Sequence, residues 1–220
     1  VYEKASLGLA FDGDADRLMV VDENGKKVNG DELMAIIGHY MKKKKKLKGD
    51  TIVATVMSNL GFFLMGEEKG IKIEKTKVGD RYVLERMLEI GANLGGEQSG
   101  HIIFLDENTT GDGLLSALHL LEVLVESKKP LSQLAKIMEM MPQALVNAKV
   151  PNHKKESFME YPEIADAIAT LEKQFDGKGR VLIRPSGTEP MVRVMIEGKD
   201  QAVIDEEAKK LAALIEKVML

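Results

Sequence analysis

The chain has 220 residues, room for one large domain or two smaller ones, and its 44% hydrophobic and 5% aromatic content is that of an ordinary globular protein. No apolar run approaches the ~18 residues that a membrane-spanning helix needs, and the net charge of −4 argues against nucleic acid as a partner. The absence of cysteine excludes disulfides and thiolate metal sites and fits a reducing cytoplasm.

The first two thirds of the chain alternate between apolar runs of strand length and longer helical patterns. This alternation predicts a three-layer α/β domain with a mixed, mostly parallel sheet. Asp31 and Asp80 are the predicted N-caps of two helices, and Ser58 or Asn59 that of a third. The predicted elements are strands at 7–11 and 18–21, a helix from 31 to the lysine run at 42–46, a strand at 51–56, a helix to 69, a strand at 71–76, a helix at 80–90, strands at 93–94 and 101–105, and a helix at 113–127.

The lysine run, 42–46 followed by Lys48, is the one strongly basic segment. It is either a patch that binds nucleic acid or an anionic surface, or a solvated helix end whose cations complement the helix dipole. The second interpretation is favoured because Gly49 and Asp50 follow directly and end the helix.

The pattern changes after a short helix at 130–138 and a break at Pro142. The remaining elements predict a smaller α+β domain with an antiparallel sheet. We therefore divide the chain into 1–24, an α/β domain at 25–144 and a C-terminal domain at 145–220, with a hinge at the polar link 150–155. The elements predicted in the C-terminal domain are a strand at 145–150, a helix at 161–175, strands at 180–184 and 191–197, and a helix at 201–219.

Three carboxylates, Asp12, Asp14 and Asp16, alternate within five residues between the first two predicted strands. An extended loop would point all three to one side, where a hard cation such as Mg²⁺ would relieve their repulsion. Arg17 can then neutralise a phosphate oxygen or pair with a carboxylate. An EF-hand calcium loop and a solvated acidic turn are the alternatives, the first opposed by the predicted strands on both sides.

A glycine-rich segment at 95–101 carries Glu97, Ser99 and His101. Glycines allow the backbone to approach a ligand closely, and a carboxylate next to a hydroxyl suits adjacent sugar hydroxyls. His101 could contact substrate or a metal-bound phosphate. A plain glycine-rich turn is the alternative interpretation.

A third segment, 184–190, combines hydroxyls, a turn and arginine. Gly187 permits a turn whose backbone N–H groups converge on an anion, and arginines bind phosphate through a bidentate fork. We predict a phosphate site here, with a hairpin turn flanked by surface charges as the alternative. Its residues are Arg184, Ser186, Gly187, Thr188 and Arg193.

Lys77 and Arg81 flank the predicted start of the helix at 80–90. Helix N-termini attract anions, and the two cations would strengthen that attraction. An ordinary helix start capped by Asp80 explains the same residues equally well.

Taken in this order, the segments resemble the α-D-phosphohexomutase family over the whole chain. Besides the acidic loop, the matching segments are 78–82, 96–101, 110–113 and 184–190. Gln98 and the segment 78–81 favour the branch of the family that acts on hexosamine phosphates over those that act on glucose or mannose phosphates.

The resemblance implies an isomerase that moves a phosphoryl group within a phosphorylated hexosamine through a phosphoserine enzyme and a bisphosphate intermediate. It implies that Arg17 steadies the phosphoryl group and that Arg81 assists proton transfer, although arginine stays protonated and is a poor base. The implied ligands of Mg²⁺ are Asp12, Asp14 and Asp16. The implied substrate contacts are Lys77, Glu97, Ser99, His101, Arg184, Ser186, Gly187, Thr188 and Arg193.

In that family a serine-containing loop precedes the metal loop, whereas this sequence begins at Val1 without an initiating Met. We therefore expect a piece of a longer protein, with 1–24 as the end of its second domain, and expect this piece alone to be inactive. Its expected partner is the N-terminal half of the same protein. The sequence neither predicts nor excludes a homodimer. The alternative function is a non-catalytic module that binds phosphosugars.

Overall fold

A computed structural model describes residues 4–220 of the chain. Its elements fall into two units, the first extending through Met140 and the second covering Met141–Leu220. The strands around the acidic loop belong to the first unit together with the α/β elements. The finer division at residues 24 and 144 stays a prediction.

The first unit contains two sheets and the helices that pack on them. A small antiparallel sheet has the order β1-β2-β3, and a four-stranded sheet has the order β5-β4-β6-β7. In the second sheet β4 pairs in parallel with β5 and β6, while β7 is antiparallel to β6, so the predicted mixed sheet is confirmed. The elements are β1 (Leu7–Phe11), β2 (Leu18–Asp22), β3 (Lys27–Val28), α1 (Gly30–Lys43), β4 (Thr51–Thr55), α2 (Leu60–Lys69), β5 (Lys72–Thr76), α3 (Asp80–Ile90), β6 (Leu94–Gly96), β7 (Ile102–Phe104), α4 (Gly113–Ser127) and α5 (Leu131–Leu134).

Helices cover both faces of the four-stranded sheet. On one face, α1, α2 and α4 bury a large apolar cluster that includes Leu33, Phe62 and Leu120. On the other face, α3 packs through Val83 and Met87 in a smaller cluster. The three-layer arrangement follows because the apolar stripe of each helix needs a sheet face to cover it.

Helix starts in the first unit differ in part from the sequence prediction. Asn29, not Asp31, caps α1, accepting N–H bonds at 3.0 and 3.1 Å while the Glu32 carboxylate accepts the Asn29 N–H at 2.9 Å. This reciprocal pair is a capping box. Gly79, not Asp80, stands at the N-cap of α3, whereas Asn59 caps α2 as predicted. The lysine run lies at the end of α1, as the helix-end interpretation requires.

The second unit is the predicted smaller α+β domain. Its three strands form an antiparallel sheet in the order β8-β10-β9, and both helices pack on it through one apolar core that contains Ile164, Val194 and Leu211. The elements are β8 (Gln143–Lys149), α6 (Pro162–Phe175), β9 (Arg180–Pro185), β10 (Met191–Glu197) and α7 (Gln201–Met219).

The predicted hinge at 150–155 is wrong. Val150 and Lys155 are both buried, and the segment between them lies inside the second unit instead of between the units. The polar residues of this segment predict full exposure, whereas tertiary packing buries its two ends. Within residues 4–220, none of the helices has the length and apolar character needed to cross a membrane.

Candidate functional site

The acidic loop connects two antiparallel strands and is a tight turn, not the extended segment predicted. The Ala15 N–H donates to the Asp12 carbonyl at 3.2 Å, and Ala15 has a φ of 59°. One carboxylate oxygen from each of Asp12, Asp14 and Asp16 lies within 4.8 Å of the others. The predicted convergence is therefore present, and the flanking strands exclude the helix-loop-helix of an EF-hand.

Two basic side chains border the acidic turn. The Arg17 Nε lies 3.6 Å from an Asp12 oxygen and 3.7 Å from an Asp16 oxygen, and the His101 Nε2 lies 3.5 Å from the other Asp16 oxygen. A backbone bridge joins Arg17 to His101. His101 is buried beside the turn, so it is placed to orient the Asp16 carboxylate.

The residues of the turn fit a divalent cation. Burial, followed by a hydrogen bond and charge repulsion from Asp12 and repulsion from Asp14, raises the pKa of Asp16 above its ordinary value. Among the residues that the structure describes, 4–220, no group donates a hydrogen bond to the buried Asp16 Oδ1. Because hard carboxylate oxygens are the ligands that Mg²⁺ prefers, an ion bound to the three oxygens would remove both penalties.

A cavity of about 650 Å³ lies in the first unit next to the acidic turn. Glu97 and Ser99 line it, as does Gln98 between them, and Arg17 connects it to the turn because the same side chain contacts the carboxylates. The other lining residues are Lys26, Lys27, Asn29, Glu32, Thr55, Met57, Val78 and Met140. Glu32 and Glu97 are the carboxylates of this lining, and burial raises the pKa of Glu32.

The loop that carries Glu97 and Ser99 is held by the start of α1. The Gly30 N–H donates to the Gln98 carbonyl at 3.0 Å, and a Cβ at Gly30 would lie 2.1 Å from the Glu97 carbonyl oxygen, so only glycine fits. The buried Asp31 carboxylate accepts the Gln98 side-chain amide at 3.1 Å. It also accepts the Asn59 N–H at 2.8 Å. Asp31 thus clamps this loop, a role that its position at a helix start did not predict.

The Glu97 side chain also links its loop to the start of α3. Its Oε1 accepts the Gly79 N–H at 3.1 Å, and Gly79 has a φ of 128°, which favours glycine. The Val78-Gly79 segment is therefore adjacent to the loop that carries Glu97 and Ser99. The sequence motifs alone did not predict this contact.

Of the predicted catalytic and substrate-binding residues in the first unit, three do not line the cavity. His101 is buried behind it, next to Asp16. Lys77 is exposed, and the exposed Arg81 donates to Glu85 at 2.7 Å on its own helix. That ion pair raises the pKa of Arg81, so this side chain is even less suited to act as a base than an ordinary arginine.

In the second unit, Arg184 and Arg193 stand directly opposite each other on neighbouring antiparallel strands. Like charges in such a cross-strand pair destabilise a sheet. Glu189 offsets them only partly, since its nearest oxygen lies 3.6 Å from the Arg193 guanidinium. The arrangement therefore concentrates positive charge at this end of the two strands.

The turn between these strands carries exposed backbone N–H groups. Ser186 is buried, its N–H donates to the Met191 carbonyl at 2.9 Å, and its Oγ accepts the Glu189 N–H at 3.2 Å. Among residues 4–220, no group accepts the N–H of Gly187 or of Thr188, and both residues are exposed. The structure thus places three of the five predicted phosphate contacts on this turn, and the other two, Arg184 and Arg193, on the strands that it connects.

Two family descriptions match most of the chain. Residues 29–141 match the phosphoglucomutase/phosphomannomutase α/β/α domain III, and residues 145–214 match the C-terminal domain of the same family. Together they include the loop that carries Glu97 and Ser99 and the turn at 186–190 between the strands of Arg184 and Arg193, here called the arginine turn.

Curated relatives are similar over almost all of this chain. It is 62% identical over 213 residues to a phosphoglucosamine mutase of Ruminiclostridium cellulolyticum, covering 97% of this chain and 47% of the relative. A phosphoglucosamine mutase of Clostridium acetobutylicum is 59% identical over 99% of this chain and 48% of its own length. The chain therefore spans about half the length of the curated relatives it matches.

Solved structures show the same fold. An Aspergillus fumigatus N-acetylphosphoglucosamine mutase in complex with GlcNAc-6P and magnesium matches with a TM-score of 0.77 and 20% identity, over 96% of this chain and 49% of its own. A phosphoglucomutase/phosphomannomutase family protein of Burkholderia thailandensis matches with a TM-score of 0.71 and 26% identity, over 97% of this chain and 47% of its own.

Proposed function

Since the chain belongs to the phosphoglucomutase/phosphomannomutase family, we propose that it supplies the metal, sugar and phosphate contacts of a phosphoglucosamine mutase. The reaction interconverts glucosamine 6-phosphate and glucosamine 1-phosphate. The observation that carries the proposal is the position of Arg17, which contacts the acidic turn and lines the same cavity as Glu97 and Ser99. A phosphoryl group held by Arg17 would thus be next to both the carboxylate cluster and a sugar.

Asp12, Asp14 and Asp16 would hold Mg²⁺ in this function. When bound, the ion supplies charge neutralisation for a phosphoryl oxygen. Arg17 then binds the same phosphoryl group, and its contacts with Asp12 and Asp16 fix the guanidinium in place. His101 orients the Asp16 carboxylate from the buried side and does not touch the sugar.

Glu97 and Ser99 would bind sugar hydroxyls in the cavity. The clamp through Gln98 holds their loop before the sugar arrives, so little ordering is needed on binding. The Glu97 carboxylate can also accept a hydrogen bond from a 2-ammonium group, which distinguishes a hexosamine from glucose or mannose.

The turn in the second unit would bind the phosphate that does not react. Arg184 and Arg193 provide two guanidinium forks, while Gly187 and Thr188 provide free N–H groups. Ser186 is buried and its Oγ accepts the Glu189 N–H, so its main role is to support the turn. Lys77 and Arg81 contribute positive charge near the sugar loop and no proton transfer.

Titration calorimetry of the chain in Mg²⁺ tests this function. We expect glucosamine 6-phosphate to bind more tightly than glucose 6-phosphate, and both more tightly than inorganic phosphate. A chimera joining this chain to the N-terminal half of the Ruminiclostridium cellulolyticum relative should convert glucosamine 6-phosphate to the 1-phosphate. Sugar binding by the chain without turnover by a folded chimera would favour the phosphosugar-binding module instead.

A further inference from the structure

Lys155 lies inside the second unit although the sequence places it in a polar link. It begins a 3₁₀ helix at Lys155–Glu160 and is 8% exposed. Its ammonium group donates a hydrogen bond to the carbonyl of Ser186, the first residue of the arginine turn. A lysine is almost never buried to this extent without a charged partner.

The buried ammonium of Lys155 lacks a carboxylate partner. Within residues 4–220, no Asp or Glu oxygen comes within 4.0 Å of its Nζ, and its one hydrogen bond is to a neutral carbonyl. A buried charge that is not paired costs several kcal/mol in general, so such a charge is retained where something compensates it.

Two further cations flank the turn that the Lys155 ammonium contacts. Ser186 follows Arg184 by two residues, and Arg184 faces Arg193 across the strands. Within the described part of the chain, residues 4–220, the one carboxylate that forms an ion pair with these cations is Glu189, which reaches Arg193. Three cations with one carboxylate leave the turn with an excess of positive charge, at the point where Gly187 and Thr188 present free N–H groups.

We propose that Lys155 is a further residue of this anion site, holding the turn through the Ser186 carbonyl and supplying a buried positive charge behind it. The ligand class is a phosphate monoester dianion. The proposal rests on the proposed function only in naming a phosphosugar as the natural ligand. It assigns Lys155 a positioning and electrostatic role, without direct contact with the phosphate.

The test uses the whole chain with inorganic phosphate as the probe. Lys155→Met removes the charge and the hydrogen bond and keeps the apolar stem, whereas Lys155→Gln keeps a donor for the Ser186 carbonyl. Lys154→Met is a matched control, because the half-buried Lys154 donates in the same way to the Met219 carbonyl at 3.0 Å, away from the turn.

We expect Lys155→Met to weaken phosphate binding about tenfold, because one charge acts at close range from a buried position. Lys155→Gln should show an intermediate loss, and Lys154→Met should stay within about twofold of the unchanged chain. Amide exchange at Gly187 and Thr188 should slow on adding phosphate in the unchanged chain and much less in Lys155→Met.

Thermal unfolding separates this role from a merely structural one. In phosphate-free buffer Lys155→Met should be at least as stable as the unchanged chain, because it removes an uncompensated buried charge. Added phosphate should raise the Tm of the unchanged chain more than that of the variant. A structural lysine predicts the opposite, a lower Tm at every phosphate concentration.

The proposal is overturned if the unchanged chain shows no phosphate protection at Gly187 and Thr188, or if Lys155→Met and Lys154→Met bind phosphate equally. If Lys155→Met fails to fold, Lys155→Gln decides: unchanged phosphate affinity in that variant would also overturn the electrostatic role. Failure of the proposed mutase function would appear differently, as a chimera without turnover while inorganic phosphate still binds in a Lys155-dependent way.

Discussion

The two units present opposite charge problems on turns of similar size. In the first unit, three carboxylates converge within 4.8 Å and are partly offset by Arg17 and His101. In the second unit, Arg184 and Arg193 face each other and are partly offset by Glu189. Each turn keeps like charges together at a cost in stability, and a ligand of opposite charge would relieve each of them.

The turns also differ in how the fold supports them. The acidic turn is anchored on both sides, since the Gly113 N–H donates to the Ala15 carbonyl at 2.9 Å and the Leu18 N–H to the Gly100 carbonyl at 3.1 Å. The arginine turn is exposed from Gly187 to Pro190 and is supported mainly through Ser186. We infer that the first site is formed before its ligand binds, whereas the second gains order on binding.

The largest expected effect comes from removing a ligand of the cation. In the chimera, Asp14→Ala should lower kcat about a thousandfold or more, because a bound metal contributes several kcal/mol to a phosphoryl-transfer transition state. Steady-state kinetics at several Mg²⁺ concentrations would measure it. Asp200→Ala, which removes the cap of α7 in the second unit, is the control and should leave kcat unchanged. Equal losses in the two variants would contradict a metal role.

Next in size is a test of how tightly the Glu97 loop of the first unit and the arginine turn of the second unit are supported. Gly30→Ala places a Cβ 2.1 Å from the Glu97 carbonyl oxygen and should cost about 1–3 kcal/mol of unfolding free energy, whereas a Cβ at Gly187 meets nothing within 4 Å. Urea unfolding of both variants measures the difference. If Gly187→Ala were as destabilising as Gly30→Ala, the contrast between a rigid and an open site would be wrong.

Much of the fold could be predicted because its local signals agree with its packing. The helices α3, α4 and α7 and the strand β10 have the predicted bounds, since their apolar periodicity and their ends coincide. The convergence of the three aspartates was also predictable, although their turn was not, because Ala15 carries no sequence signal for a left-handed conformation.

What the sequence could not predict depends on contacts between distant segments. The clamp of Gln98 by Asp31 joins residues 67 positions apart, and Lys155 reaches Ser186 over 31 positions. Aspartate and lysine are residue types that are usually exposed, and only tertiary packing buries Asp31 and Lys155. Asp31 was a weak signal of the clamp. It lies two residues after the N-cap Asn29, and a helix start that is already capped does not need a second acceptor.

A smaller effect is expected from the arginine pair. Arg193→Ala should weaken phosphate binding by the chain about tenfold and abolish the phosphate protection of the Gly187 amide. Without phosphate, the same variant should unfold no more easily than the unchanged chain, since it also relieves repulsion with Arg184. Amide exchange with and without phosphate checks both statements. Protection that moves to 96–100 instead would place the phosphate in the first unit.

The smallest expected effect is a pH dependence that belongs to the first unit alone. Burial, followed by repulsion from Lys43, Lys69 and Lys42, lowers the pKa of His39 in α1 below its ordinary 6.5. The unfolded chain therefore binds a proton at this histidine before the folded chain does. The contribution of His39 to stability is complete above pH 6.5 and is lost as the pH falls below that value.

His39→Gln cannot titrate, so between pH 7 and pH 5 it should lose less unfolding free energy than the unchanged chain. Amide exchange resolves where the difference arises: we expect it in α1, with β10 in the second unit exchanging alike in both proteins. If acidification destabilised both proteins equally, His39 would carry no part of the pH dependence. A difference that appeared in β10 as well would show that the two units unfold together. The two sites would then not be supported independently by their own units.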